Sequence, residues 1–450
     1  MAGAGRVLVL DVVGLQPHHV DSDRMPALAG LLDDVVASRP ALPALTVPAQ
    51  STLATGTAPA THGDVASGRY DRATDTVEFW GRDRAGRQRV WETAREAGAT
   101  TGVLFFQHLI GTDADVAVTP SPIEDENNDM IEMDCWTTLD DFYDDIRGDL
   151  GHFPLHNYWG PAASADSTRW ILDAADRAVA RVDPDLLWVY VPHLDYTGLA
   201  EGPGDAFTAE LSVVDDLLAD FLDARRADNR WEETAVVVVS EYGFNAVETP
   251  VFPNRALREA DLLSTVDDGD GGEEIALDGS AAFAMVDHQV AHVYADPDAR
   301  EAAREAVATL DGVDQVLTPD DDPLAAHPNA GDFVLVAEED AWFQYYWWHD
   351  RDDAPFYATS VDIHRKPGFD PCEVFFGEEG MASLDPTKVG GSHGRIDEGT
   401  LPAFGVGGPA APELPPGPVD ARAVAPTLVD LLGLDDSVLP NAEAGSLLVD

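Results

Sequence analysis

The stretch "LTVPAQSTLATG", Leu45–Gly56, gathers four hydroxyl side chains and no charge in a chain otherwise crowded with acids. A Thr or Ser hydroxyl is a weak nucleophile at neutral pH unless a base or a bound cation draws off its proton. At a loop entering a helix its commoner use is to cap the helix. Groups able to hold a cation end three apolar runs. "VLVLDVVG" ends in Asp11, "LLWVYVPHLDY" in His193 and Asp195, and "AVVVVSEYG" in Glu241. Any one of these acids reads as punctuation in an acid-rich chain. Three of them, each following a β-branched run, point to a site.

The elements that must position these residues follow from periodicity. Arg6–Leu10, Thr101–Phe106, Leu186–Val191 and Ala235–Val239 are short, nearly continuous apolar runs, as expected of strands buried on both faces. Helical spacing lies between them: Leu211, Val214, Leu218 and Phe221/Leu222 in one segment, and Trp170 to Val182 in another, stopped by Pro184. Alternating strands and helices predict an α/β fold, a mostly parallel sheet flanked by helices. Such sheets bind ligands beyond the carboxyl ends of their strands. The texture changes between Thr249 and Phe369, with an acidic glycine loop, "TVDDGDGGEEIALDGS", a strand-like "SAAFAMVDHQVAHVYAD", a helical "PDAREAAREAVATL" and a further strand, "DFVLVAEED". This predicts an inserted α+β cap or substrate lobe over 249–369, within a catalytic core of 1–248 and 370–450. The glycine loop lacks the twelve-residue calcium spacing and reads as a solvated hairpin. Glu124–Asp149 reads as an acidic surface excursion.

A chain of 450 residues with 27 Lys+Arg against 83 Asp+Glu carries a net charge of −56. Such a surface repels nucleic acid and anionic membranes, which argues against both as partners. At molar salt the Debye length shrinks to about 3 Å and the self-repulsion is screened, so the composition predicts a protein adapted to high salt. The ten Trp and the apolar strands exclude an acidic disordered chain. Cys135 and Cys372 fit no metal or redox spacing, no run approaches a membrane span, and "RVLVLDVVGL" is too short for a secretory signal. The expectation is a cytoplasmic protein.

With these blocks in view, the chain resembles the alkaline phosphatase superfamily and, within it, the type I phosphodiesterase/nucleotide pyrophosphatase group. The resemblance is carried in order by "VLVLDVVGL", "MPALAGLL", "LTVPAQSTLATGTAPATHG", "HLDYTGLAEGP", "VVVVSEYGF", "GSHGRIDEGTLPAFGVGGP" and "AVAPTLVDLLGL". It implies an alkaline-phosphatase-like sandwich with Thr46 as nucleophile. It also implies two divalent cations, zinc or manganese/magnesium, held by Asp11, Asp195, Glu241 and His393 on the strand-end rim. A phospho-Thr intermediate would then be hydrolysed by water. The chain departs from the group's pattern at three points. Leu199 stands where Asp-x-x-x-His would place a His, Tyr242 stands where Asp-His would, and Ala49 replaces an Asn.

Substitutes for the missing ligands are present. His193 lies on the same side of an extended chain as Asp195, and "SVDIHRKPGFDPCE" offers Asp362, His364 and Asp370. His288 and His292 share a face if "DHQVAHVY" is one strand, although packing inside the lobe accounts for both. Arg365, Lys366 and Arg395 are candidate substrate-binding cations, although Arg365 could as easily pair with a neighbouring Asp. His62, His156 and His349 read as structural, His62 in a turn and His349 in an aromatic core. The expected function is metal-dependent hydrolysis of a small phosphorylated substrate, of the phosphodiesterase or nucleotide pyrophosphatase type. A phosphonate hydrolase, a phosphoglycerate-mutase-like enzyme, or a binding homologue that has lost catalysis are the alternatives. A sulfatase is excluded because "TVPAQ" lacks the Cys/Ser-x-Pro-x-Arg pattern.

Overall fold

A computed structural model of the chain describes residues 4–79, 88–125, 130–269, 271–362, 364–378 and 380–448. Nine strands form the main sheet: β1 (Arg6–Val12), β2 (Leu32–Arg39), β3 (Thr101–Leu104), β4 (Val116–Pro120), β5 (Cys135–Thr137), β6 (Leu186–Val191), β7 (Thr234–Val239), β8 (Ala403–Gly407) and β9 (Val419–Asp420). Their order is β9-β2-β8-β7-β1-β6-β3-β4-β5. The central β7-β1-β6-β3-β4 run is parallel, and β8 and β5 join antiparallel. The four expected strands are therefore the sheet's centre, and the acidic excursion contributes β5 at its edge.

Both faces of the sheet are covered, which is why its strands read as unbroken apolar runs. Leu8, Leu10 and Val12 of β1 enter one core with Trp170 and Ile171 of α2 (Ala165–Val182) and Leu211, Val214 and Leu218 of α4 (Asp205–Arg226). Val7 and Val9 enter the other core, with Leu53 and Ala54 of α1 (Thr46–Thr55). Between α2 and α4 lies α3 (His193–Glu201), which starts immediately after β6. Strand alternation places Asp11 on the face of Val7 and Val9, where the Trp188 indole donates to its Oδ2 at 3.2 Å.

Within 249–369, Ala282–Asp287, Val290–Ala295, Phe333–Ala337 and Val313–Leu317 form a four-stranded antiparallel sheet, with the Arg300–Ala308 helix packed on Val313–Leu317. The stretch expected as one strand is a hairpin, turning at His288 and Gln289, with His288 at φ 57°. In the acidic glycine segment Thr265–Asp267 pairs antiparallel with Glu273–Ile275. Among the described residues no helix is long and apolar enough to cross a membrane.

Candidate active site

Thr46 is the first residue of α1, a helix buried along its whole length and closed by Gly56 in the left-handed region (φ 69°). Its side chain makes no capping bond. The Thr46 Oγ1 instead lies 3.0 Å from the Tyr242 hydroxyl, and that hydroxyl donates to Asp195 Oδ1 at 3.0 Å. Since Tyr242 has one proton and gives it to Asp195, its oxygen accepts from Thr46. The result is a directed line, Thr46 to Tyr242 to Asp195.

Parallel strands bring the other acids alongside. Asp11 pairs in register with Val239 of β7, and Glu241 lies two residues beyond. The Gln50 amide, one turn along α1 from Thr46, donates to Glu241 Oε1 at 2.7 Å. Asp11 Oδ1 and Glu241 Oε2 are buried without a hydrogen-bond partner. Burial raises the Asp11 pKa to about 7, against the Trp188 bond that lowers it. Glu241 is raised well above the usual range by burial first and by Asp11 next. Asp195 is also raised by burial to about 7, opposed by its bond from Tyr242. Three carboxyl groups in one desolvated centre do not ionise together unless something positive compensates them.

His393 lies on the far side of Tyr242, the two rings stacked 3.4 Å apart and tilted by 5°. Its Nδ1 bonds the Ala44 carbonyl at 3.0 Å, its Nε2 is 3.9 Å from Asp195 Oδ1, and burial lowers its pKa to about 3. Thr46 and Asp195 face a cleft of about 760 Å³, with Asp11, Glu241 and His393 outside its lining.

The profile of the type I phosphodiesterase/nucleotide pyrophosphatase family matches residues 7–370. The chain belongs to this family. No curated protein matches the chain. Among solved structures it is similar to murine ectonucleotide pyrophosphatase/phosphodiesterase 5, at 15% identity and a TM-score of 0.59 over 96% of each chain. An inactive variant of that protein solved with AMP aligns equally well. Phosphonoacetate hydrolase from Sinorhizobium meliloti 1021, in complex with phosphonoformate, is similar at 17% identity and a TM-score of 0.62, over 98% of this chain and 96% of that one. Members of the type I phosphodiesterase/nucleotide pyrophosphatase family are hydrolases acting on phosphoric ester and pyrophosphate bonds, and the fold is alkaline-phosphatase-like. The family match stops short of His393, yet the fold brings that residue into the centre.

Divalent cations are characteristic of this family, and the donors present can be tested for fit. The orphaned oxygens of Asp11 and Glu241, with Thr46 Oγ1 nearby, form a hard, all-oxygen set suited to magnesium or manganese. Among the described residues, no three His, Cys, Asp or Glu side chains are grouped so that they could hold an ion. Thr46 would have to complete the set. Around Asp195 and His393 the fit fails: the Tyr242 ring covers His393, its hydroxyl occupies Asp195 Oδ1, and Leu199 supplies no donor.

Several expected residues lie elsewhere. His193 opens a helix instead of an extended segment, and its Nε2 is held by Glu210 Oε2 at 2.6 Å. Lys366 is no substrate cation: its Nζ is buried between Asp370 Oδ2 (2.8 Å) and Glu373 Oε1 (2.6 Å). Asp370 is committed to that pair. Asp362 accepts from the backbone of His364 and Arg365 and pairs with the Arg365 guanidinium at 3.2 Å, so it is not positioned as a ligand. Arg365 and His364 do line the cleft. Arg395 is outside the cleft lining and is bonded to Asp397 and to the Ala337 carbonyl. His292 is packed in the lobe, between the Val65 carbonyl and the Gly331 amide. His288 is not: the hairpin turn aims its ring at His393 (centroids 3.8 Å) and Phe369 (3.8 Å). His62 packs a turn as expected. His349 is exposed beside Glu259, and His156 stands at the cleft. The bridging Tyr242 was read as a departure, and a hydroxyl beside Glu241 was the signal that could have marked it.

Proposed function

We propose that the protein is a phosphoric diester hydrolase in which Thr46 attacks phosphorus at the floor of the cleft. The observation that carries this reading is the line from Thr46 Oγ1 through the Tyr242 hydroxyl to Asp195, set beside the paired Asp11 and Glu241. As the Thr46 oxygen bonds to phosphorus, its proton passes to Tyr242 Oη while the Tyr242 proton passes to Asp195 Oδ1. Asp195, with its pKa raised to about 7, is a base matched to neutral pH. The bond from phosphorus to the leaving oxygen breaks, and the departing alkoxide takes a proton from solvent. Water then attacks phosphorus, releasing the phosphoric monoester that keeps the second substituent, while the proton on Asp195 returns through Tyr242 to Thr46 Oγ1. Burial of Asp11 and Glu241 excludes water behind the nucleophile, and Gln50 fixes Glu241. A divalent cation held by Asp11, Glu241 and the Thr46 oxygen would neutralise the phosphoryl oxygens and favour the Thr46 alkoxide. One such ion, of the magnesium or manganese kind, suits the donors better than two zinc ions.

We read 249–369 as a cap over a core of 1–248 and 370–450, with His288 as the residue that reaches between them. The net charge of −56 supports a working environment of molar salt, and a cytoplasmic location is part of the same reading. The test is turnover of a chromogenic phosphodiester in molar KCl, beside a monoester, a nucleotide and phosphonoacetate, each with and without chelator. Diester turnover that a chelator abolishes, with the phosphoryl group and its remaining ester substituent trapped on Thr46 after quenching, is the expected result. Diester turnover retained by Thr46→Ala would end the covalent mechanism.

A further inference from the structure

In so acidic a chain, exposed apolar side chains are expected to be scattered. Among the described residues, four of the nine large ones line the cleft. Met130, Phe356, Val361 and Met381 are exposed and line it. Ile110, Trp159 and Thr46 line the same cleft. A phosphoryl group fills only a small part of about 760 Å³.

The charges in the cleft narrow the choice of ligand. Among its described lining residues Arg365 is the sole Arg or Lys, and it is already paired with Asp362. Arg365 and Asp362 offset each other, which leaves Asp195 as the carboxyl beside the phosphoryl end. A ligand carrying several phosphate charges would meet more repulsion than attraction, whereas a single phosphoryl charge can be met at the floor.

We propose that the cleft takes a singly charged phosphoric diester whose second substituent is a hydrocarbon arm, laid along Ile110, Val361, Phe356 and Met381. The inference rests on the hydrolase reading for the position of the phosphoryl end. The apolar subsite is measurable without turnover. The arm leaves water against apolar side chains that share the cleft with Thr46, so affinity grows with each methylene that enters.

The test uses the full chain in molar KCl and two readouts. In the first, Thr46→Ala protein binds alkylphosphonates from methyl to octyl, followed by calorimetry. Affinity should rise on the order of threefold per methylene until the cleft is full, and Val361→Asp with Met381→Asp should flatten that slope. In the second, the wild-type protein turns over nitrophenyl alkyl phosphodiesters of the same lengths, with a nucleoside triphosphate as competitor. Here kcat/KM should climb with chain length, and the triphosphate should compete poorly. A flat slope in the binding series overturns the inference whether or not the protein is an enzyme, as does tight competition by the triphosphate. A rising binding slope with no diester turnover supports the apolar subsite and instead overturns the hydrolase reading.

Discussion

Thr46 combines two properties that ordinarily exclude each other: it is the first residue of a helix, yet its hydroxyl is spent on Tyr242 and not on the helix end. Thr46→Ala should therefore abolish diester turnover while costing only about 1 kcal/mol of stability, the worth of one buried hydrogen bond. Paired activity and thermal-melt measurements check this. Tyr242→Phe removes the bridge without disturbing the ring stacked on His393, and kcat should fall at least tenfold with little change in KM. A double variant, Tyr242→His with Leu199→His, restores the donors the family pattern carries at those positions. It should raise bound divalent ions toward two per chain by elemental analysis; an unchanged count would show that the two positions do not face the metal. The raised carboxyl groups set a pH dependence. A carboxylate whose folded pKa is lifted to about 7 destabilises the fold as pH rises from about 4 to 7. The chelated protein should lose melting temperature over that interval, and manganese should restore it at pH 8 far more than at pH 5. Thr46, Asp11, Asp195 and Glu241 were legible because strand ends and a hydroxyl-rich junction announce themselves. Lys366 was misread because its partners, Asp370 and Glu373, follow in an irregular segment where spacing does not reveal burial. Lys366→Met should cost about 3–5 kcal/mol by stranding two buried carboxylates, measurable by denaturant unfolding.

At the scale of elements, the parallel strands were legible because burial on both faces leaves an unbroken apolar signature. The helix α3 was not, and the reason is physical. Leu194, Tyr196, Gly198 and Leu199 are buried on different sides of it, so no polar stripe marks a helical period, and "HLDY" read as extended chain. The hairpin at His288 was hidden likewise, since a turn made by His and Gln carries none of the usual Asn-Gly or Gly signals. Gly198 shows how tightly α3 fits: a Cβ there would meet Phe244 ring carbons at 2.4 Å. Phe244 in turn stands edge-on to Tyr242 and His393. Gly198→Ala should therefore lower both the melting temperature and kcat, although the residue touches neither Thr46 nor Asp195.

For the molecule as a whole, charge dominates. Lys366 and Lys388 are the chain's two lysines, and the first of them is consumed inside the protein. A net charge of −56 should make stability rise steeply with salt, with the melting temperature climbing between 0.1 M and 2 M KCl and the chain unfolding in dilute buffer. A melt independent of salt would remove the case for a saline habitat. The excess of acids was plain from composition, whereas the apolar rim of the cleft was not, because its members come from segments far apart in the chain. The turn at His288 carries a further consequence. The Gln289 amide donates to the His393 carbonyl at 2.9 Å while the neighbouring imidazole rests on the His393 ring. Exchanging the whole of 249–369 for a homologue's would thus remove the ring and the amide that pack against His393. Laboratory chimeras should accordingly be cut to leave the two-residue turn at His288 and Gln289 in place.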